Sequence, residues 1–194
     1  MRIKHITFHD VDRATFVASQ RRWLDASIAS GGLVDAWGAE ANGDARAVFT
    51  WKDDEALQHF MEDAHDRALA DVGSAGRYAV LYLDEVESLG PRGDAGYVAE
   101  SFMWLKEGGT APFMESQRAW NDALRTASGF CGGNIRRGRR TFVVTSFWQD
   151  ASSHRRYLDV VVPRLRDATR GDEHVARLVR FEGPLSAELS YTHV

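Results

Sequence analysis

The sequence predicts an α+β fold made of two tandem copies of one βαββαβ unit. Two observations carry this reading. The phrase FVASQRRWLDA, starting at Phe16, returns as FMESQRAWNDA at Phe113, with seven of eleven positions identical. The same 97-residue spacing then holds without a gap, pairing Gly32 with Gly129, Leu33 with Phe130, Trp51 with Trp148 and Asp53 with Asp150. Two helices of merely similar composition would not keep those tryptophans in register, so the spacing marks duplication of a whole structural unit.

The elements of the first copy follow in order. IKHITF alternates as a strand, and Asp12 is placed to cap a helix running to about Ser30. Gly31-Gly32 ends that helix, because glycine tolerates the positive φ of a helix terminus. LVDAWGAEA and ARAVFTW form a hairpin about Asn42-Gly43, a strong two-residue turn signal. Asp53 opens a second helix through about Ala70, and RYAVLYLDEV is the last strand. The second copy repeats the order with YVAESFMWL, a helix from Pro112, a hairpin with Gly138 at its tip, a helix from Asp150 and a strand near 175–182. The polar, Gly- and Pro-bearing segment 88–96 is the linker. The expected domains are therefore a ferredoxin-like repeat at 1–87, the linker at 88–96 and a second ferredoxin-like repeat at 97–194. Such a unit leaves one apolar sheet face bare, so the two copies are expected to pack sheet to sheet as a pseudo-dimer within one chain.

Composition bounds the function. The chain has 194 residues, 44% of them hydrophobic, enough for a packed core. No apolar run approaches the ~18 residues of a membrane span, and MRIKHITFHD lacks the apolar centre of a leader. The single cysteine, Cys131, cannot form an internal disulfide, which makes a cytoplasmic protein the expectation. The net charge of −4 argues against nucleic acid as the main partner. Arg136, Arg137, Arg139 and Arg140 flank Gly138, but no aromatic platform is interleaved with them, so they read as a solvated hairpin tip.

The repeated helix carries an apolar stripe of Phe16, Val17, Trp23, Leu24 and Ile28. Gln20 falls inside it, and Gln117 holds the same place between Phe113 and Trp120. A buried amide there needs a hydrogen bond or costs about 1–3 kcal/mol. It either bonds the sheet or lines a pocket and orients a ligand. Arg21 with Asp25 has the spacing of an exposed ion pair.

The copies also differ. His65 aligns with Val162, so only the first copy has an imidazole on the edge of that helix. It reads as a proton-transfer or ligand-binding group, or as a boundary histidine bonded to Asp66 or to the backbone. His5, Thr7 and His9 share one strand face, opposite Ile6 and Phe8, and the constant spacing makes Phe102 and Trp104 the counterparts of His5 and Thr7. With Trp37, Trp51, Trp104 and Trp148, these side chains supply either a small-molecule cavity or plain core. His5-x-Thr7-x-His9, with His65 or Asp66, has the residue types of a metal site, but alternating histidines on a strand are a weak signal, and no metal is assigned. No glycine-rich phosphate fingerprint, G-x-S-x-G or paired-cysteine motif is present.

Phe16-x-x-Ser19-Gln20-x-x-Trp23, Trp51-x-Asp53 and Phe60-Met61-x-x-x-His65-Asp66 resemble an uncharacterised bacterial family within the dimeric α/β-barrel superfamily, which includes antibiotic-biosynthesis-monooxygenase-like proteins. The resemblance covers most of 1–87 and, more loosely, 97–182, which lacks the His-Asp pair. It implies an intrachain dimeric α/β barrel. It also implies a monooxygenase-like activity on an apolar or aromatic compound, without a cofactor. A haem-degrading relative would use an Asn, Trp and His set; Trp51 and His65 are loose analogues, but Thr7 stands where the asparagine is expected. On this reading His65 moves protons, Gln20 and Trp37 orient the substrate, and Trp51 forms a wall. Trp23, His5 and Thr7 complete the expected binding set. The alternatives are a non-catalytic ligand-binding or stress-response module, and a haem or metal protein. Further homodimerisation is left open.

Overall fold

Each copy folds as its hydrophobic periodicity requires. In the computed structural model, which describes residues 1–72 and 77–193, the first copy runs β1 (Arg2–His9), α1 (Arg13–Ser30), β2 (Leu33–Ala41), β3 (Asp44–Trp51), α2 (Asp54–Asp63), α3 (His65–Val72) and β4 (Arg77–Ser88). The second runs β5 (Tyr97–Leu105), α4 (Thr110–Thr126), β6 (Phe130–Arg137), β7 (Thr141–Trp148), α5 (Ala151–Val160), α6 (Val162–Thr169) and β8 (Val175–Pro184), and a short strand β9 (Tyr191–Thr192) follows. Strand order is β4-β1-β3-β2-β9 in the first copy and β8-β5-β7-β6 in the second, with antiparallel pairing. The chain is α+β, with two ferredoxin-like repeats in tandem.

The compact units are Met1–Asp84 with Leu185–Val194, and Glu85–Pro184. The stretch from Leu185 onward, grouped with the second repeat by sequence pattern, thus packs with the first. Tyr191 and Thr192 pair with Ala36 and Asp35. Leu189 lies so close to Gly38 that a Cβ there would come within 2.6 Å of its Cδ1.

Local signals explain the element ends. Asp12 accepts from the Ala14 and Thr15 amides, Asp53 from Ala56 and Asp150 from Ser153, so each aspartate satisfies otherwise orphaned helix N–H groups. The fourth helix begins at Thr110, ahead of Pro112, with no side-chain cap. The helices expected to run unbroken from Asp53 and Asp150 each split in two, at Ala64 and Val161. Pro163 in the first turn of α6 explains the second break, since proline is favoured at a helix start and disfavoured inside one. Ile28, assigned to the apolar stripe, is 38% exposed near the end of α1.

Asn42 and Gly43 both take positive φ, 53° and 83°, as the two-residue hairpin turn demands. Nothing lies within 4 Å of a Cβ built on Gly43. Gly43→Ala is therefore expected to cost only the left-handed backbone penalty, about 1 kcal/mol, read as a lower urea midpoint with an unchanged m-value.

In the first repeat Ile6, Phe8, Phe16, Trp23, Phe49, Trp51 and Phe60 form the core between sheet and helices. The expected alternation of β1 holds, with His5 and Thr7 on the opposite face from Ile6 and Phe8.

Strand pairing also revises the alignment of the copies. His5 pairs with Val48 and Glu100 pairs with Thr145, while Val48 and Thr145 are 97 positions apart. The counterpart of His5 is thus Glu100, and that of Thr7 is Phe102, two positions short of the expected Phe102 and Trp104. One extra residue at the end of β5 and one in the connection to α4, which spans 106–109 against 10–12 in the first copy, absorb the difference.

Candidate functional site

The seven residues expected to form a site fall on two faces of the first repeat's sheet. Trp23 and Trp51 belong to the core beneath the helices, and His65 packs edge-on against Trp23 with ring centroids 5.0 Å apart. Gln20 is buried; its amide nitrogen donates to Ser19 Oγ at 3.2 Å, and its Oε1 has no partner among the described residues. His5 and Trp37 lie on the far face, both buried, with ring centroids 6.5 Å apart, and Thr7 shares that face. The sheet therefore stands between Gln20 and Trp37, and one small ligand cannot touch both. His65 Nδ1 lies 2.9 Å from Asp66 Oδ1, and its side chain is 18% exposed. Trp23 and Phe60 occupy the space on its apolar side.

A cavity of about 310 Å³ lies in the second repeat, between its sheet and α4, α5 and α6. That is at the lower end of the roughly 300–1,000 Å³ typical of small-molecule sites. Met103, Phe113, Trp120, Leu124, Leu158 and Val162 supply apolar wall. Gln117 also lines it, its amide nitrogen fixed on Asn121 Oδ1 at 3.0 Å. The glutamine of the repeated phrase thus borders the cavity in the second copy and is packed in the first.

One row of the sheet explains why the second copy is open. Ala99 pairs with Ser146 on one side and Glu182 on the other, and all three line the cavity. The equivalent row of the first copy is Phe49, Lys4 and Tyr82. There the Lys4 side chain fills the space, with Nζ 4.5 Å from the Trp23 ring centroid and 3.7 Å from Met61 Sδ. Small side chains stand in the second copy where large ones stand in the first.

The polar end of the cavity is built on His154 and Glu182. His154 Nδ1 lies 2.9 Å from Glu182 Oε2, and the imidazole side chain is 9% exposed. The Tyr97 hydroxyl also reaches Glu182. Burial pulls the His154 pKa below its ordinary value, and this outweighs the opposing pull of Glu182. At neutral pH the ring is therefore uncharged. With its proton on Nδ1 and shared with Glu182, Nε2 keeps a lone pair and can accept a proton. Burial likewise raises the pKa of Tyr157, so it remains a neutral phenol in the cavity wall.

The sequence reading missed this pair although the spacing pointed to it. His154 stands 97 positions after Leu57, and Ser146 the same distance after Phe49; each change puts a polar group where the first copy has an apolar one.

Among the described residues no group of three or more His, Cys, Asp or Glu side chains is arranged to hold a metal ion. Beside His65, Trp23 and Phe60 pack against the imidazole and leave no room there for a haem. No helix among the described residues is long and apolar enough to cross a membrane.

Residues 3–84 match the model of a domain of unknown function, DUF4937. No curated protein matches the chain. Among solved structures, a conjectural monooxygenase from Fusobacterium nucleatum superposes with a TM-score of 0.73 at 12% identity, over 100% of this chain and 98% of that one. An anthrone oxidase-like protein gives 0.68 at 12% identity, over 98% and 91%. A haem-degrading enzyme from Listeria monocytogenes gives 0.55 at 9% identity, over 94% and 97%. At such identities the likeness shows the fold, which a ferredoxin-fold protein related to antibiotic biosynthesis monooxygenases from Listeria monocytogenes shares, with a TM-score of 0.54 at 10% identity over 100% of this chain and 96% of that one.

Proposed function

We propose that this chain binds a small apolar or aromatic organic compound in the cavity of its second repeat and oxidises it with dioxygen, without a cofactor. The observation that supports this most is the His154–Glu182 pair set into the end of an otherwise apolar cavity. Chemistry of this kind needs a substrate that becomes electron-rich enough to reduce dioxygen once it loses a proton. A neutral imidazole held in one tautomer by a carboxylate is suited to take that proton, and positioned bases of this kind contribute about 10²–10⁴-fold to rate. The apolar walls exclude water and orient a flat ring system. This reading moves the proton-transfer role from His65 to His154 and the orienting amide from Gln20 to Gln117.

Anthrone is a suitable probe, since an anthrone oxidase-like protein shares the fold. Its conversion to anthraquinone consumes one dioxygen and releases one water. Anaerobic titration with anthrone is expected to quench tryptophan fluorescence saturably, and dioxygen uptake is expected to exceed the uncatalysed rate. His154→Gln should retain binding and lose at least about tenfold in uptake. Binding with no uptake by the wild-type protein would leave the non-catalytic alternative standing. Absence of saturable binding would remove both readings.

A further inference from the structure

The cavity's rim carries a cation for which the proposed chemistry has no use. Arg180 of β8 pairs across the sheet with Ser101, so its side chain stands on the same face as Glu182 and lines the same cavity as His154. It is close enough for its charge to act on His154. Among the described residues Arg180 has no carboxylate partner and no hydrogen bond. Glu182 beside it is already engaged by His154 and Tyr97. Arg166 of α6 lines the cavity as well, which brings a second guanidinium to its wall. In the first repeat the position equivalent to Arg180 is Val80, which pairs with Ile6 as Arg180 pairs with Ser101, so the cation belongs to the copy that has the cavity.

Building on the proposed function, we infer that the ligand of this cavity is an aromatic carboxylic acid, whose ring lies against Trp120, Leu124 and Leu158 and whose carboxylate meets Arg180 at the rim. A guanidinium offers two parallel N–H donors that match the two oxygens of a carboxylate, and such charged pairs are the stronger class of hydrogen bond. A neutral ring of the same size fills the same walls and forgoes this pair. The arrangement also orients the ring: with one end held at the rim, the opposite edge is carried inward past Ser101 toward Ala99.

The test compares 2-naphthoate with 2-naphthalenemethanol, which share a ring system and differ in charge. Binding is followed by fluorescence quenching, with Trp120→Phe as the control that the signal arises at the cavity wall. The naphthoate is expected to bind at least tenfold more tightly than the alcohol. Arg180→Gln is expected to abolish that preference while leaving the alcohol's affinity within twofold, and raising the salt should weaken only the naphthoate. Equal binding of the two compounds, or an Arg180→Gln loss that is the same for both, overturns the carboxylate assignment while the cavity reading survives. Failure of both compounds to bind overturns the cavity reading itself, and this inference with it.

Discussion

Ala99→Met is expected to weaken anthrone binding by about 100-fold or more while leaving the protein folded. The argument rests on the row that distinguishes the two repeats. Ala99 is the floor of the cavity, flanked across the sheet by Ser146 and Glu182. Lys4 holds the equivalent place in the first repeat, and its long side chain fills the space beneath the helices. Methionine has similar reach without the charge, and its flexible thioether adapts to an irregular gap. It would occupy room the ligand needs, and a 100-fold loss corresponds to about 3 kcal/mol, the scale of one side chain obstructing a ring. Because the side chain enters empty space rather than a packed core, the overpacking penalty does not apply, and the urea midpoint should hold or rise. Ser146→Phe would be a poorer test, since Ser146 Oγ accepts from Trp148 Nε1 at 2.9 Å and its loss orphans a buried donor. An Ala99→Met protein that folds and binds anthrone as tightly as wild type would mean that the cavity is not the binding site.

The architecture was legible because duplication leaves a trace that needs no structure. Asp12, Asp53 and Asp150 marked helix starts, and Asn42-Gly43 marked a hairpin, because caps and tight turns are decided by adjacent residues. The helix breaks at Ala64 and Val161 were not read, although Pro163 announces the second. The site was half legible. Leu57 against His154 and Phe49 against Ser146 fall at constant spacing and could be compared directly. Lys4 against Ala99 could not, because two extra residues, one at the end of β5 and one in the connection to α4, shift the spacing there, and only strand pairing reveals the equivalence. His65 and His5 are the conspicuous imidazoles of the sequence, and both belong to the first copy. The decisive change was a loss of side-chain volume, and an alanine in a strand does not announce itself.

The two copies of this duplicated fold differ in side-chain volume as much as in chemistry. Both copies keep the helix phrase, and its Phe16 and Phe113 are buried beneath α1 and α4. In the first copy the space beneath is taken by Lys4, Phe49, Leu57 and Met61. In the second the corresponding residues are Ala99, Ser146, His154 and Leu158, which leave room and add polar groups. The first copy's filling has a flaw that a single substitution would expose.

Lys4→Met is expected to raise the stability of the protein by about 3 kcal/mol at pH 7. Lys4 is 3% exposed, and among the described residues its Nζ meets the Trp23 ring and the Met61 sulfur and no carboxylate. Burial lowers its pKa from 10.5 to about 8. A group whose folded pKa lies below its unfolded value holds its proton less well in the folded state, so at pH 7 its charge destabilises the fold. Each unit of that shift is worth about 1.4 kcal/mol, and the Trp23 face returns a part through its attraction for a cation. Between pH 8 and 10.5 the folded protein releases this proton while the unfolded chain retains it, so wild-type stability should rise with pH across that window. Methionine removes the charge, packs against Met61 and Trp23, and should remove that rise. Urea unfolding of both proteins from pH 7 to 10 is the measurement, and the gap between them should narrow as pH increases. A Lys4→Met protein no more stable than wild type at pH 7 would show that the ammonium group reaches water, and that the space in the first repeat is filled less completely than its burial implies.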